Sequence, residues 1–139
     1  LILGAGGVVP SIIYSLLSMG CKKIFLSNRT IEKAENIKKK FEEVEVLKWK
    51  EIPDFDIVIN ATSVGLKGEN LDLDFNTKDK VFYDVIYNPK ETQFLKRARE
   101  NGNRIENGKL MFIYQANQSF SIWNNVIPKI DEEALKILE

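Results

Sequence analysis

Four small residues near the start of the chain, Gly4, Ala5, Gly6 and Gly7, constrain the fold more than any other feature. They follow an apolar segment and precede a run whose apolar residues recur at helical spacing, which predicts a tight turn between a strand and a helix. Gly4 permits the turn, and Gly6 lets the backbone approach a ligand closely. Because a helix N-terminus offers free N–H groups and partial positive charge, the turn predicts a site for a dinucleotide pyrophosphate. A tight turn without a ligand is the alternative.

The rest of the chain alternates between strand-like and helix-like patterns, which predicts an α/β domain. Strands are predicted at 1–3, 23–27, 44–47, 56–60, 81–86 and 104–105. Helices are predicted at 7–19, 30–41, 91–100 and from 110 onward, with an interruption near Pro128 and a resumption after Asp131. A polar loop is predicted between the strands at 56–60 and 81–86. Such strand–helix–strand units form a doubly wound, mainly parallel sheet, whose binding sites collect at the carboxyl ends of its strands.

The composition narrows the classes of function. The 139 residues carry a formal net charge of zero, with 44% hydrophobic and 29% charged residues, as expected of a single soluble domain. Neither nucleic acid nor an anionic membrane is expected as a partner, and no apolar run reaches the roughly 20 residues of a membrane span. Because the chain has no histidine and only Cys21 as cysteine, we expect no metal site, no internal disulfide and a cytoplasmic location.

The second predicted strand bears on the choice of nucleotide. NAD-binding domains usually place an acidic residue about 20 residues after the glycines, where it holds the ribose 2′-hydroxyl. The segment 25–30, FLSNRT, has no carboxylate, and Arg29 and Lys33 lie four residues apart around the start of a helix. Two like charges at that end of a helix are mildly unfavourable, and a bound 2′-phosphate reverses that effect. The pattern therefore favours NADP over NAD, and two solvated cations are the alternative.

Five segments in order carry a resemblance to a known family: GAGG at 4–7, SNRT at 27–30, INATSVGL at 59–66, YDVIYNPKET at 83–92 and GKLMFIYQANQSFSIW at 108–123. Together they span nearly the whole chain, and the sequence resembles the shikimate dehydrogenase family. The resemblance implies a Rossmann-like fold and the reversible reduction of 3-dehydroshikimate to shikimate with NADPH.

The resemblance also implies a role for individual residues. For the cofactor, these are Gly4, Ala5, Gly6, Gly7 and Val8 at the pyrophosphate, Asn28, Arg29, Thr30 and Lys33 at the 2′-phosphate, Thr62 and Ser63 beside the cofactor, and Val85, Gly108 and Met111 near the nicotinamide. For the substrate, these are Tyr87 and Gln115. Each role has a structural alternative: Asn60 and Thr62 as caps of a strand end, Tyr87 in a plain turn, and Gln115 as a partly buried helix residue.

The resemblance finally implies a larger enzyme. The family's catalytic lysine and aspartate come from an N-terminal substrate domain, so we expect no catalytic residue in this chain and a domain missing ahead of it. The whole chain, 1–139, is then an NADP-binding domain whose helices at about 109–139 reach toward that domain. Apolar residues there, such as Phe120 and Trp123, are expected to be exposed and to make the isolated chain associate. Nothing in the sequence predicts the oligomeric state.

Three other functions remain open at this point. One is a quinate/shikimate dehydrogenase that accepts NAD. An acidic residue at the tip of the second strand would favour it, and the segment has none. Another is a different two-domain NADP enzyme such as a glutamyl-tRNA reductase, against which the segments around Tyr87 and Gln115 argue. The last is a nucleotide-binding module with no chemistry of its own.

Overall fold

The computed structural model describes residues 1–136 and has a six-stranded parallel sheet at its centre, in the order β3-β2-β1-β4-β5-β6. The strands are β1 (Ile2–Leu3), β2 (Ile24–Ser27), β3 (Val44–Leu47), β4 (Ile57–Asn60), β5 (Val81–Asp84) and β6 (Arg104–Asn107). The helices are α1 (Val9–Ser18), α2 (Ile31–Lys38), α3 (Gln93–Glu100), α4 (Lys109–Asn124) and α5 (Glu132–Lys136). The predicted doubly wound, Rossmann-like α/β fold is confirmed. The part of the predicted C-terminal helix at 137–139 lies outside the described residues.

Successive residues of a strand point to opposite faces, and the core divides accordingly. Leu1 and Leu3 join a cluster with Phe94 and Leu95 of α3, whereas Ile2 joins a cluster with Ile13 of α1. The sheet is therefore covered by α3 on one side, called the α3 face below, and by α1 and α2 on the other, called the α1 face. The central strands β1 and β2 are buried on both faces and are almost entirely apolar, whereas the edge strands β3 and β6 alternate with polar residues.

The segment between β4 and β5 differs from the polar loop that the sequence predicts. It has no regular secondary structure, but Leu71, Leu73 and Phe75 are buried on the α3 face. Phe75 packs edge-on against Phe82 of β5, with 5.4 Å between the ring centroids. Three apolar side chains at alternate positions thus cover strands that a helix covers elsewhere in the fold.

The helix α4 has no buried residue, although it is the longest helix of the described chain. Phe120, Ile122 and Trp123 are 47%, 78% and 80% exposed. The expected exposure of apolar residues in the C-terminal helices is therefore confirmed. No helix within residues 1–136 combines the length and the hydropathy that crossing a bilayer requires.

Candidate nucleotide-binding site

The strand order reverses between β1 and β4, and the glycine turn lies at that point. Gly4 adopts a φ of 107°, and its N–H donates to the carbonyl of Ser27 at 2.8 Å. A Cβ added at Gly4 would lie 2.7 Å from the carbonyl oxygen of Ala61, so only glycine fits between the ends of the neighbouring strands. Ligands of doubly wound sheets bind in the crevice at such a reversal, and the turn is placed accordingly.

At the start of α1 the N–H of Val9 donates to the carbonyl of Gly6 at 3.1 Å, whereas the N–H groups of Gly6, Gly7 and Val8 have no backbone acceptor among those described in residues 1–136. Val8 is its N-cap, no side chain accepts a hydrogen bond there, and no acidic residue lies in the first turn. Gly6 and Gly7 are exposed, and a Cβ at Gly7 would meet nothing within 4 Å. Because the unpaired N–H groups and the helix dipole both favour negative charge, this end of α1 suits a phosphate group.

A groove of about 530 Å³, called the nucleotide groove below, opens from the glycine turn along the carboxyl ends of the strands. It is lined by Gly4, Ala5, Gly6, Asn28, Arg29, Lys33, Trp49, Ala61, Thr62, Ser63, Val64, Asn70, Leu71 and Asp72. Eight of the residues predicted for the cofactor therefore lie along one groove. Residues from the ends of β1, β2 and β4 meet there because the strands are parallel.

Arg29 and Lys33 form the cationic rim of the nucleotide groove. Both side chains are exposed, and neither belongs to any of the ion pairs that the structure describes within residues 1–136. Among the groove's lining residues the carboxylate belongs to Asp72, which is paired with Lys50. The rim therefore carries uncompensated positive charge, the property that a second phosphate group requires.

Thr30 lies beside the nucleotide groove but is not among the residues that line it. It is the N-cap of α2, as its position predicts, yet its side chain makes no capping hydrogen bond. Its carbonyl accepts from the side-chain amide of Asn28 at 2.7 Å and from the N–H of Lys33 at 3.2 Å. These bonds fix the backbone between Asn28 and Lys33, which carries the cationic rim.

A buried polar cluster holds the ends of β4 and β5 together. Asn60 Oδ1 accepts from the N–H and the hydroxyl of Thr62, so these residues do cap the strand end. Asn60 Nδ2 donates to Asp84 Oδ1 at 3.1 Å, and the Thr92 hydroxyl donates to Asp84 Oδ2 at 2.6 Å. Burial raises the pKa of the Asp84 carboxyl, and the hydrogen bonds from Thr92, Ile86 and Asn60 offset part of that rise.

A second cleft, of about 790 Å³, lies on the α1 face between α1 and the start of α4. Four predicted residues line it, namely Gly7, Val8, Met111 and Gln115, together with Ile59 and Tyr83 from the sheet. Gln115 is exposed, so the alternative that it is a partly buried helix residue is wrong. Its amide is free to face a ligand in this cleft.

The remaining predicted residues, Val85, Tyr87 and Gly108, form the junction between β5 and α4. Gly108 donates its N–H to the carbonyl of Ile86 at 3.2 Å, and a Cβ there would lie 2.0 Å from the Val85 carbonyl oxygen. Tyr87 stacks on Phe112, with 4.6 Å between the ring centroids and 28° between the ring planes. The segments that carry Tyr87 and Gly108 are thus joined, and Val85, Tyr87 and Gly108 themselves line neither cleft.

Comparisons with known proteins bear on this arrangement of sites. A family model described as shikimate / quinate 5-dehydrogenase matches residues 1–67. The shikimate dehydrogenase (NADP(+)) of Pelagibacter ubique is 54% identical over 142 residues, covering 100% of this chain and 54% of the relative. The chain matches the shikimate dehydrogenase family over its whole length. The resemblance found in the sequence is therefore confirmed.

Solved structures of the shikimate dehydrogenase family and its neighbours share this fold. Shikimate dehydrogenase from Aquifex aeolicus matches with a TM-score of 0.81 at 36% identity, over 99% of this chain and 51% of that one. Quinate dehydrogenase from Corynebacterium glutamicum in complex with NAD matches with a TM-score of 0.84 at 27% identity, over 99% and 52%. The chain spans about half the length of the curated relatives it matches.

Sequence reasoning missed several residues of the site. Trp49 and Asp72 line the nucleotide groove, Asp84 and Thr92 hold the strand ends, and Phe112 stacks on Tyr87. Trp49 follows the end of β3 by two residues. Since binding sites collect at the carboxyl ends of parallel strands, this position could have identified it. The contacts of Thr92 with Asp84 and of Phe112 with Tyr87 cross from one element to the next and leave no periodic pattern in the sequence.

Proposed function

We propose that the chain, residues 1–139, is the NADP-binding domain of a cytoplasmic shikimate dehydrogenase that reversibly reduces 3-dehydroshikimate to shikimate. One observation carries the choice of cofactor: the unpaired cations Arg29 and Lys33 stand at the rim of the groove that the glycine turn opens. The curated relatives named shikimate dehydrogenase (NADP(+)) and the matching solved structures support the reaction.

Each part of the nucleotide groove has a role in this proposal. The free N–H groups of α1 and the turn from Gly4 to Val8 hold the pyrophosphate. Arg29 and Lys33, set by Asn28 and Thr30, bind the 2′-phosphate, and Thr62 and Ser63 line the path between them. A bound nicotinamide supplies or accepts the hydride.

The nicotinamide end and the substrate belong to the β5–α4 junction in this proposal. The backbone of Val85 and Gly108 and the side chain of Met111 bound the nicotinamide, while Tyr87 and Gln115 donate to hydroxyl or carboxylate oxygens of shikimate. The stacking of Tyr87 on Phe112 supports this role, because it fixes the ring whose hydroxyl is to bind. No residue of this chain is assigned to the proton transfer, which falls to a substrate domain that precedes it in the parent enzyme.

The exposed apolar side of α4 supports the presence of that second domain. Phe120, Ile122 and Trp123 are large apolar side chains that lie exposed on one helix, and the relatives are nearly twice as long. We infer that α4 packs against the substrate domain in the complete enzyme.

Parallel titrations with NADPH and NADH, followed by nicotinamide fluorescence, test the cofactor assignment. We expect NADPH to bind at least tenfold more tightly, and Arg29→Ala to remove most of that preference, because it removes a charged partner of the 2′-phosphate. Lys39→Ala, which removes an exposed lysine at the C-terminal end of α2 and outside the lining of the groove, is the matched control. Equal binding of both nucleotides contradicts the assignment.

A quinate dehydrogenase that uses NAD is the second candidate, and the Corynebacterium glutamicum structure is the observation that favours it. Steady-state rates with shikimate and with quinate, each with NADP and with NAD, separate the two on the complete protein. We expect the highest kcat/KM with shikimate and NADP, whereas a preference for quinate and NAD supports the second candidate.

A further inference from the structure

Trp49 has a place in the nucleotide groove that the roles above do not use. It follows β3, packs with part of its indole against the α3-face core, and leaves the rest lining the groove. Arg29 and Lys33 line the same groove from the end of β2 and the start of α2. An aromatic ring therefore stands in a groove whose rim carries two cations.

The segment that carries Trp49 is held in place from both sides. The Ser27 hydroxyl donates to the Lys48 carbonyl at 3.2 Å, and the Glu51 N–H donates to the same carbonyl at 3.1 Å. Glu51 Oε2 accepts from the Lys48 N–H at 3.3 Å, which closes a tight turn. Because these bonds exist without a ligand, the ring does not have to be ordered when one binds, and less entropy is lost on binding.

The lining of the nucleotide groove divides by chemistry. Trp49, Val64 and Leu71 form an apolar wall, and Asn28, Arg29 and Lys33 form a polar, cationic one. Such a division matches a ligand with a flat base at one end and a phosphate on its sugar. Every nucleic-acid base has a π-face on which an aromatic side chain can stack, and a tryptophan offers the largest such face.

The Lys50–Asp72 ion pair keeps the groove compatible with a phosphate. The hydrogen bond and the charge of Lys50 hold the pKa of the Asp72 carboxyl below its usual range, so it is ionised at neutral pH. Its negative charge is matched by Lys50, and the charges of Arg29 and Lys33 remain unmatched. The pair also ties the Trp49 turn to the segment that contributes Leu71 to the apolar wall.

We propose that Trp49 is a binding residue that stacks on the purine base of an adenine nucleotide whose 2′-phosphate lies against Arg29 and Lys33. This inference rests on the proposed function, because it takes NADP as the ligand of the groove. It assigns the base to the wall formed by the end of β3, which the sequence motifs leave unassigned. The affinity for the adenine half of the cofactor then depends on an aromatic ring at position 49.

Calorimetric titration of the purified protein with adenosine 2′,5′-bisphosphate tests this inference. Trp49→Leu keeps an apolar side chain against the core but has no π-face, and Trp49→Phe keeps the face. We expect Trp49→Leu to weaken binding about tenfold or more, and Trp49→Phe to stay within about threefold of the wild type. Thermal unfolding of each variant shows that it is folded. Equal affinities for the wild type and a folded Trp49→Leu overturn the inference.

Fluorescence gives a readout that does not depend on the stability of a position-49 variant. Trp49 and Trp123 are the two tryptophans of the chain, and Trp123 lies on α4 outside the groove. In Trp123→Phe, all tryptophan emission comes from Trp49, and we expect saturating adenosine 2′,5′-bisphosphate to quench it. Unchanged emission at saturation overturns the stacking while leaving the cofactor assignment standing. A wild-type protein that binds neither this compound nor NADPH overturns the proposed function and the stacking together.

Discussion

At the scale of single residues, Asp84 carries a carboxyl group that the fold buries completely. Its oxygens accept from Asn60, Ile86 and Thr92. It thereby joins β4, its own strand and the N-terminus of α3. A buried carboxylate without a cation costs folding free energy that these three hydrogen bonds offset in part.

We expect Asp84 to make the stability of the wild type fall with pH relative to Asp84→Asn. The pKa of Asp84 is raised in the folded state, so the unfolded chain releases the proton first as the pH rises. The stability that the protonated carboxyl contributes is fully present below about pH 3.9 and is lost as the pH rises through the folded-state pKa. Urea unfolding of both proteins between pH 4 and pH 7 measures this difference. A difference that is independent of pH, or that grows in favour of the wild type, contradicts the raised pKa.

Gly4 and Gly7 offer a matched pair of substitutions in the glycine turn. Gly4→Ala puts a Cβ 2.7 Å from the Ala61 carbonyl oxygen at a φ of 107°, so we expect a loss of about 1–3 kcal/mol in the free energy of unfolding. Gly7→Ala meets nothing within 4 Å, and we expect a change below about 1 kcal/mol. Denaturant unfolding of both variants tests the pair, and similar losses in both would count against the packing argument.

At the scale of elements, the start of α4 depends on the end of β5. The Gly108 backbone lies so close to the Val85 carbonyl that no side chain fits between them, and Phe112 one turn later stacks on Tyr87. These contacts determine where α4 leaves the sheet. The substrate role proposed for Tyr87 therefore depends on a residue of the next element.

We expect Phe112→Ala to raise the KM for shikimate about two- to tenfold, because an aromatic pair contributes about 0.5–1.5 kcal/mol to the position of its rings. The Kd of adenosine 2′,5′-bisphosphate should stay unchanged, since Phe112 does not line the nucleotide groove. Tyr14→Ala is the control: Tyr14 is an exposed aromatic residue of α1, lines neither cleft, and has no ring contact among those described in residues 1–136. A rise in KM with both variants contradicts a specific role of the stack.

The sequence predicts the elements well and the contacts between them poorly. Strands at 23–27 and 44–47 and the turn at Gly4 follow from local patterns, and the groove follows because parallel strands bring their carboxyl ends together. The bonds of Thr92 to Asp84 and of Phe112 to Tyr87 depend on how segments fold back on one another, which no local pattern encodes. The loop before β5 was misjudged because its three apolar anchors are separated by polar residues.

At the scale of the whole molecule, the large apolar side chains that α4 exposes are a notable feature of the surface. Exposed apolar side chains continue past the helix to Val126 and Ile127. An apolar area of this kind on a soluble chain is normally covered by another surface. In a solution of the isolated chain, the surface that can cover this apolar area is the same region of a second copy.

We expect the isolated 139-residue chain to associate as its concentration rises from about 1 to 100 μM. Ile122→Ser combined with Trp123→Ser should reduce this association, because it removes the two most exposed large apolar side chains of α4. Tyr14→Ser, at an exposed position of α1, is the control. Sedimentation velocity measures the change, and a chain that stays monomeric throughout this range contradicts the expectation.

The nucleotide groove and the second cleft have separate linings: no residue of the described chain belongs to both. Every residue of the nucleotide groove precedes position 73, whereas Tyr83, Met111 and Gln115 of the second cleft follow it. Natural variation can therefore alter the choice of cofactor without touching the residues proposed for the substrate. Exchange of residues 1–72 between related enzymes would accordingly replace the whole lining of the nucleotide groove and leave Tyr87 and Gln115 in place.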